Sequence, residues 1–374
     1  MTPVSSHPHG QSTLRTVQVL GGGNAASSAH VRSLAAGLVA RGVRVTVCAP
    51  VEAERDYDFT GAGADHAQVP RGSDPSSVAA LRAACADADL VHAHGLHASF
   101  RAALALSGRH IPLVVTWHGR THAEGARARL VGMLERRVVR AAAVVLGTSS
   151  DLVDRARRRG ARDARLAPAA LPGVRSAPWD ESDRAKLRAE LGAIGRPLLL
   201  AVGPLERHRG YDVLLDAARV WRLLDAVPFV VVAGEGELRA ALQRRIEEEQ
   251  LPVRLLGRRD DVPELLSAAD LVLLPSRWES RSVLAQEALH ARVPLVASAV
   301  GGIPDLVGDA AELVPYGDAE ALAAAVVRLL DDPGRREELR RGGERQAATW
   351  PTEDETVAQV LSVYDELTQP RPMI

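Results

Sequence analysis

Short apolar runs alternate along this chain with longer segments in which apolar residues recur at the spacing of a helix. Short apolar runs closed by glycine, proline or serine predict strands that are buried on both faces. The predicted strands lie at residues 16–20, 43–49, 89–95, 112–117, 143–146, 198–202, 229–233, 254–256, 271–274 and 294–300. The predicted helices lie at residues 27–40, 181–191, 283–291, 319–330, 334–348 and 356–367. Strands that alternate with helices in this way predict an α/β protein with parallel sheets.

The chain has 374 residues, more than one hydrophobic core usually serves, and we therefore expect two domains. Residues 171–195 contain Pro172, Pro178 and a charged helix, a composition typical of a boundary between domains. We place the first domain at residues 1–190 and the second at residues 191–351.

Composition restricts the partners and the compartment. The net charge of −1 gives no reason to expect a nucleic-acid partner. Cys48 and Cys85 are the only cysteines, and we expect both to be buried thiols in a reducing compartment. The polar N-terminal residues lack the apolar core of a signal peptide, and no apolar run is long enough to span a bilayer. We therefore expect a cytoplasmic protein without a transmembrane segment.

Lysine chemistry is restricted as well, because Lys186 is the only lysine and lies in a polar predicted helix. A Walker phosphate loop and a pyridoxal Schiff base both require a lysine at the site. The sequence thus excludes both classes of protein.

The turn between the strand at 271–274 and the following helix carries the strongest candidate site. Residues 276–282 form a strand-to-helix turn, which presents free backbone N–H groups to an anion. Glu279 lies before the helix and Glu287 in its second turn, about 80° from a common face of an ideal helix. Taken alone, the pair has a simpler interpretation, a solvated glutamate and a partner of the helix dipole.

A longer pattern surrounds these glutamates. Pro275-Ser276-x-x-Glu279 is followed after seven residues by Glu287-Ala288, then by Pro294-x-Val296-Ala297-Ser298 and Gly301-Gly302-Ile303-Pro304. This pattern resembles the retaining GT-B glycosyltransferases of family 4. The resemblance implies that Glu279 is catalytic and lies by the donor sugar, that the donor-binding backbone and side chains include Ser280, Arg281, Ser282 and Val283, and that Glu287 binds the donor ribose. The family often has Gly-Phe-Gly where this chain has Ser280, Arg281 and Ser282.

The resemblance also implies the fold and the reaction. Two Rossmann-like domains would face each other across a cleft, and the C-terminal residues 352–374 would cross back to complete the first domain. A hexosyl group would move from a nucleoside diphosphate sugar, UDP-linked or GDP-linked, to a glycan, lipid or small-molecule acceptor with retained anomeric configuration. Neither a metal nor another cofactor is expected.

The residues expected to bind the donor diphosphate depart from the family pattern. Family members have Gly-Arg-Leu after the first strand of the second domain and Lys-Gly four residues later, whereas this chain has Gly203-Pro204-Leu205 and Arg209-Gly210. Arg209 retains a charge, and Arg281 or Arg207 is a candidate to replace the charge that Pro204 lacks, although Arg281 would equally suit a solvent-exposed position. The loops with Glu235 and Arg258 resemble those that hold the nucleotide base.

The first domain carries two histidine motifs at strand ends, His92-Ala93-His94-Gly95 and Thr116-Trp117-His118-Gly119. They resemble the acceptor-side motifs of the family, so we predict that His118 is catalytic and that His94 lies on the acceptor side. Histidines at strand ends are also common as hydrogen-bonded loop residues. Gly22 and Gly23 follow the first strand and are predicted to face the acceptor, since this glycine turn lacks the full dinucleotide fingerprint.

Two further polar features have weaker interpretations. Asp87-Ala88-Asp89 copies the Asp-x-Asp of metal-dependent glycosyltransferases, but it lies at a helix-to-strand junction and we interpret it as surface. Arginines far outnumber acidic residues between Arg127 and Arg165. They indicate either a solvated helix face or a surface for an anionic acceptor or a lipid headgroup, which would allow peripheral contact with a membrane.

Two alternatives to a transferase remain open. Pro204, together with Pro168-Ala169-Ala170 where the family usually has Pro-Asn-Gly, would also suit a catalytically impaired module that binds sugars or nucleotides. A sugar-nucleotide epimerase is built on a similar two-domain frame.

Overall fold

The computed structural model describes residues 14–21, 25–121, 123–170 and 180–369. The strands are β1 (Arg15–Leu20), β2 (Arg44–Ala49), β3 (Asp65–Gln68), β4 (Leu90–His94), β5 (Leu113–Trp117), β6 (Val144–Gly147), β7 (Ala164–Leu166), β8 (Leu198–Val202), β9 (Phe229–Ala233), β10 (Val253–Gly257), β11 (Leu271–Leu274), β12 (Leu295–Ser298) and β13 (Glu312–Val314). The helices are α1 (Ala25–Ala40), α2 (Val51–Tyr57), α3 (Pro75–Ala84), α4 (Leu96–Ala105), α5 (Gly125–Ala141), α6 (Ser150–Arg159), α7 (Glu181–Leu191), α8 (Tyr211–Trp221), α9 (Arg239–Glu248), α10 (Val262–Ala268), α11 (Val283–His290), α12 (Ile303–Val307), α13 (Ala319–Asp331), α14 (Pro333–Ala347) and α15 (Glu353–Thr368), with a 3-10 turn at Arg207–Arg209.

The strands form two parallel sheets, which confirms the predicted α/β class. The first sheet has the order β3-β2-β1-β4-β5-β6-β7 and the second the order β10-β9-β8-β11-β12-β13. In each sheet the strand order reverses beside the first strand, at β1 between β2 and β4 and at β8 between β9 and β11. Loops diverge at such a switch point, so the carboxyl ends of these strands are where polar side chains can gather around a ligand.

The contacts divide the chain into two compact units. Unit 1 comprises residues 1–147, 155–167 and 353–374, and unit 2 comprises residues 148–154 and 168–352. We predicted a boundary after residue 190, whereas the contacts place α7 in unit 2. The reason is that Leu187 and Leu191 of α7 pack in the same core cluster as Leu198 of β8.

The core of unit 2 covers both faces of its sheet. Leu199 and Ala201 of β8 pack in one apolar cluster, and Leu198 and Leu200 pack in another. Successive side chains of a strand point to opposite faces, so helices on both sides are needed to bury them. This arrangement explains why the strands are continuous apolar runs rather than alternating ones.

The last helix belongs to unit 1 although all of unit 2 precedes it in the sequence. Val357, Val360, Val363 and Tyr364 of α15 lie in the core cluster of unit 1, which they share with α1. The predicted return of the C-terminal helix to the first domain is therefore confirmed. Its return also brings the phenol of Tyr364 into the interior of unit 1, where it is fully buried.

The strands that the sequence did not reveal lie at sheet edges. We did not predict β3 and β7, the two edges of the first sheet, or β13, an edge of the second. Their sequences are Asp-His-Ala-Gln, Ala-Arg-Leu and Glu-Leu-Val, and residues in all three remain partly exposed. These edge strands have only three or four residues and are partly exposed, so they do not produce the apolar run that marks a central strand.

Three further predictions from the sequence can be compared with the structure. Cys48 and Cys85 are both buried and unpaired, as predicted. Asp87 is exposed, and the carboxylate of Asp89 accepts hydrogen bonds from the backbone and side chain of Arg15, which agrees with a surface role. Within the described residues, none of the helices combines the length and the apolar character needed to cross a membrane.

The packing of α1 on α15 generates a prediction about Gly37. A Cβ atom at Gly37 would lie 2.5 Å from Cγ2 of Val357. Glycine to alanine in a helix interior usually stabilises by about 1 kcal/mol, but overpacking costs about 1 to 3 kcal/mol. We expect Gly37→Ala to lower the free energy of unfolding, measured in urea.

Gly342→Ala is the matched control, because a Cβ atom at this position of α14 would meet nothing closer than 3.5 Å. We expect it to raise stability. Adding Val357→Ala should relieve most of the cost of Gly37→Ala, and equal stabilisation by the two glycine replacements would contradict the packing described here.

Candidate active site

The turn after β11 in unit 2 joins two residues that the sequence analysis selected. The guanidinium of Arg209 donates a hydrogen bond of 2.5 Å to the carboxylate of Glu279, although 70 positions separate them. The hydroxyl of Ser276 donates a second bond, of 2.8 Å, to the same carboxylate oxygen. Only 12% of the Glu279 side chain is exposed, so these two donors hold the carboxylate in one place at the end of β11.

The Gly301-Gly302 pair after β12 packs against the backbone of this turn. The Gly302 N–H donates to the carbonyl oxygen of Glu279 at 2.9 Å. Gly301 has a φ of +56°, and a Cβ atom there would lie 1.9 Å from the same oxygen. A Cβ atom on Gly302 would lie 2.6 Å from the carbonyl oxygen of Ser280. Only glycine at both positions allows the backbone to approach so closely.

Hydroxyl groups from residues 148–154, which belong to unit 2, complete the turn. The Ser280 hydroxyl is 2.9 Å from that of Thr148 and 3.1 Å from that of Ser149. The indole N–H of Trp278 donates to Asp151 at 2.8 Å. The sequence showed these residues only as a strand end and a helix start, since nothing local indicates a partner more than 120 positions away.

Helix α11 begins directly after the turn. Ser282 is its N-cap, and its hydroxyl accepts a bond of 3.4 Å from the N–H of Ala285. Val283 is the first residue of the helix and is partly exposed. The N–H groups of a first helical turn have no partner within the helix, and they carry the positive end of its dipole. The predicted donor-binding residues 280–283 thus surround a helix N-terminus.

Glu287 lies in the second turn of α11. It is half-buried, and burial raises the pKa of its carboxyl above the usual value. A partly buried carboxyl group is stabilised by hydrogen-bond donors such as ribose hydroxyls.

Arg281 does not point freely into solvent. Its Cζ atom lies 5.4 Å from the centre of the Trp350 ring. Its Nε and Nη2 atoms are buried, and across the described residues they have no hydrogen-bond partner. Burial lowers the pKa of this guanidinium to about 10, so it remains charged at neutral pH. A buried charge without an acceptor is costly, which makes this side chain receptive to an anion.

The loops after β8, β9 and β10 also meet in unit 2. The Leu205 N–H donates to the Glu235 carbonyl at 2.9 Å, and the Gly234 N–H donates to the Gly257 carbonyl at 2.8 Å. The Tyr211 hydroxyl donates to the carbonyl of Gly203 at 3.0 Å. The predicted residues Gly203 and Glu235 therefore lie in one group of loops.

Arg258 is less closely tied to these loops. Its side chain is 83% exposed, and its Nε lies 3.5 Å from a carboxylate oxygen of Asp260. Glu235 forms an ion pair of 2.8 Å with Arg239.

Unit 1 contains a buried network of imidazole, amide and phenol groups. His94 Nδ1 lies 3.2 Å from His118 Nε2, which joins the two histidines that the sequence analysis selected. His94 Nε2 lies 3.0 Å from the side-chain oxygen of Gln18, and the Gln18 amide donates to the Tyr364 hydroxyl at 3.0 Å. His92 lies 2.6 Å from that hydroxyl and 2.7 Å from the hydroxyl of Thr116.

Every histidine of this network is neutral at physiological pH. Burial lowers the pKa of His30 to about 4 and of His92 to about 3, and it holds the pKa values of His94 and His118 well below the usual range. His118 is the partly exposed member, whereas His30 and His94 are buried. Gly22 and Gly23, which we predicted to lie near the acceptor, fall outside the described residues.

Comparison with known proteins identifies the family. Residues 183–346 match the family described as glycosyl transferases group 1, and residues 26–171 match the glycosyl transferase 4-like domain. α-D-Kanosaminyltransferase of Streptomyces kanamyceticus is 30% identical over 275 residues, which cover 69% of this chain and 71% of that protein. A D-inositol 3-phosphate glycosyltransferase of Xylanimonas cellulosilytica is 32% identical over 311 residues, 76% of this chain and 73% of that protein. The chain belongs to the group 1 glycosyl transferases.

Solved structures support the same fold. The structure of Anabaena HepE in complex with UDP aligns with a TM-score of 0.80 at 19% identity, covering 95% of this chain and 100% of that one. WaaG, a glycosyltransferase involved in lipopolysaccharide biosynthesis, aligns with a TM-score of 0.70 at 18% identity, covering 96% and 100%. This group 1 glycosyl transferase therefore has the GT-B fold, as predicted. The family match supports a glycosyltransferase that uses a nucleotide sugar and does not favour the binding module or the epimerase.

Sequence reasoning missed several members of the two sites of this glycosyltransferase. His30, Gln18, His92, Thr116 and Tyr364 were not selected. Gln18 did carry a signal, because it is a polar residue in the middle of an apolar strand, and His30 lies beside the apolar face of α1. Tyr364 carried none, since its partners are more than 270 positions away.

The close approach of Gly301 to Glu279 generates a prediction. Gly301→Ala should lower the free energy of unfolding by the left-handed backbone cost of about 1 to 2 kcal/mol and by an overpacking cost of about 1 to 3 kcal/mol. Amide hydrogen exchange in residues 276–282 should rise at the same time.

Gly317→Ala is the control, because its φ is +80° while a Cβ atom there would meet nothing within 4 Å. We expect it to show the backbone cost alone and unchanged exchange in the turn. Equal effects of the two replacements would mean that Gly301 does not support Glu279.

Proposed function

We propose that this glycosyltransferase moves a hexosyl group from a nucleoside diphosphate sugar to an acceptor with retention of anomeric configuration. The acceptor is a glycan, lipid or small molecule with a free hydroxyl. The transfer step uses no metal and no other cofactor. The observation that carries the proposal is the hydrogen bond between Arg209 and Glu279 in unit 2.

This bond joins Arg209, the cation assigned to the donor diphosphate, to Glu279, the glutamate assigned to the donor sugar. In the proposed complex Arg209 lies beside the diphosphate and Glu279 beside the sugar that the diphosphate carries. The contact between Arg209 and Glu279 therefore suits the point at which the sugar joins the diphosphate. Arg209 also has a buried Nε atom without a hydrogen-bond partner in the described part of the chain. A phosphate oxygen is an acceptor of the right charge for that N–H.

Charge on the leaving group decides how readily the glycosidic bond breaks. Positive charge and preorganised N–H groups stabilise a leaving diphosphate, and they act most strongly where water is excluded. Arg209 and the N-terminus of α11 provide both in this proposal. Arg281, whose buried nitrogens lack an acceptor, contributes part of the charge that Pro204 does not supply.

The nucleotide occupies the loops after β8 to β10. Glu287 binds the ribose hydroxyls, Gly203 and residues 280–283 hold the sugar and the phosphates, and Glu235 and Arg258 lie by the base. UDP is the first nucleotide to test, because HepE has been solved with UDP-glucose, and GDP is the second.

His118 takes the catalytic position of unit 1 in this proposal, with His94 on the acceptor side. A neutral imidazole can accept or donate a hydrogen bond without bringing charge to a sugar hydroxyl. His94 contacts the ring of His118, and Gln18 in turn holds the ring of His94.

The arginines between Arg127 and Arg165 lie in two different environments. Arg155 and Arg159 both pair with the buried carboxylate of Glu135, at 2.8 and 2.7 Å, so they stabilise unit 1. Arg136, Arg137 and Arg140 of α5 are exposed. We assign these three to an anionic acceptor or a lipid headgroup only as an extension of the proposal.

Donor turnover tests the proposal. Incubation with UDP-hexoses or GDP-hexoses should release nucleoside diphosphate faster when an acceptor is present, in EDTA as well as without it, and the product should keep the anomeric configuration of the donor by NMR. Glu279→Gln should lower kcat on the order of 10²-fold, the cost of a misplaced reacting group.

Glu312→Gln is the matched control, since Glu312 forms a comparable ion pair of 2.9 Å with Arg335 elsewhere in unit 2. It should leave kcat unchanged. An isomerised donor would indicate the epimerase, and donor binding without turnover would indicate the binding module. Near wild-type kcat for Glu279→Gln and for His118→Ala would refute the mechanism.

The assignment of Glu287 to the ribose is tested by binding alone. Glu287→Ala should weaken UDP or GDP binding by about 1 to 3 kcal/mol, the scale of a lost hydrogen bond to a charged group. Isothermal titration calorimetry measures this difference. Glu248→Ala, at an exposed position of α9 in the same unit, should bind as the wild type does, and unchanged affinity in Glu287→Ala would remove the assignment.

A further inference from the structure

Three histidines of unit 1 bring their ring nitrogens together. His30 comes from α1, His94 from the end of β4 and His118 from the segment after β5. One nitrogen of each ring lies within 4.8 Å of the others. The ring centres are 5.0, 5.4 and 5.9 Å apart, so the rings form a nearly equilateral triangle.

The spacing is close to that of a tetrahedral metal site. Zinc binds imidazole nitrogen at about 2.0 to 2.1 Å, which places two ligand nitrogens about 3.4 Å apart. His94 Nδ1 and His118 Nε2 already lie 3.2 Å apart. The widest separation in the group exceeds the tetrahedral value by no more than about 1.4 Å, a distance that rotation of one ring covers.

The partner of the other His94 nitrogen fixes the direction of its lone pair. His94 Nε2 donates to the Gln18 side-chain oxygen, because the Gln18 amide nitrogen is engaged with Tyr364. With its proton on Nε2, His94 directs the lone pair of Nδ1 towards His118. Histidines that bind metals usually donate their second nitrogen to such an oxygen, which orients the ring and increases its basicity.

The ligand type selects the class of metal. Imidazole suits zinc, cobalt, nickel and copper, whereas magnesium and calcium require oxygen ligands. His118 is partly exposed, which gives the ion a way in.

We propose that His30, His94 and His118 form a binding site for a divalent transition metal of the zinc type, and that occupation of this site suppresses glycosyl transfer. The metal replaces the hydrogen bond between His94 and His118 with one bond to each ring. The site itself rests on geometry alone, whereas the inhibition rests on the catalytic role that the proposed function gives to His118. The proposed transfer step needs no metal, so the bound ion has no part in it and inhibits transfer by engaging His118.

Metal titration tests the site without reference to activity. The protein of residues 1–374, made without a histidine tag and with His7→Ala and His9→Ala, is stripped with EDTA, dialysed and titrated with Zn²⁺ by calorimetry. We expect one equivalent to bind. Titration with Co²⁺ should produce the visible absorption of a tetrahedral nitrogen site.

Variants identify the ligands. His118→Gln, at the partly exposed position, should abolish binding while circular dichroism confirms folding, and His30→Ala should do the same. Gln18→Ala keeps all three ligands but removes the oxygen that orients His94, together with the amide that donates to Tyr364, and should weaken binding about 10-fold. His110→Ala is the control, because His110 is exposed in unit 1, and it should bind Zn²⁺ as the parent does.

Activity separates the two parts of the proposal. Zn²⁺ should inhibit transfer reversibly, EDTA should restore it, and Gln18→Ala should require about 10-fold more Zn²⁺. Absence of stoichiometric binding, or equal binding in the His118→Gln and His110→Ala proteins, would overturn the site and leave the transferase assignment intact. Binding without inhibition would keep the site and remove the catalytic role of His118.

Discussion

Burial of a parallel sheet on both faces is the constraint that places the site around Glu279 in unit 2. In unit 2 the side chains of β8 alternate between two apolar clusters, and no polar group has a place along such a strand. In unit 2 the polar side chains of the site therefore gather where strands end. Arg209, Glu279 and Ser276 meet beyond the ends of β8 and β11, at the point where the strand order reverses.

The donor-side turn shows how a charged group is fixed without a rigid element. Glu279 lies in an irregular segment, yet its carboxylate has two side-chain donors and its carbonyl accepts from Gly302. The neighbouring Ser280 is held by two hydroxyls from residues 148–149. Contacts of this kind limit the positions that the turn can adopt, and preorganisation of that sort lowers the cost of binding a charged ligand.

The histidine network of unit 1 depends on a different constraint, the return of the last helix. Tyr364 of α15 bonds both His92 and Gln18, and Gln18 in turn sets the tautomer of His94. Buried polar groups are tolerated only when they are hydrogen-bonded, so removal of any member would leave another without a partner. The helix that closes the core of unit 1 therefore also orients the imidazole groups next to His118.

The sequence by itself determined the fold class, the central strands and six of the helices, because apolar periodicity records which faces are buried. It also indicated the glutamates and histidines, since these residues lie in short segments directly after recognisable strands. The short edge strands β3, β7 and β13 were not predicted, because a strand of three or four partly exposed residues forms no apolar run. Only the tertiary structure decided that Arg209 bonds Glu279, that Arg281 lies over Trp350 and that Tyr364 bonds His92. Each of these contacts joins residues 69 to 272 positions apart, and local spacing carries no information about partners that the folding of whole sheets brings together.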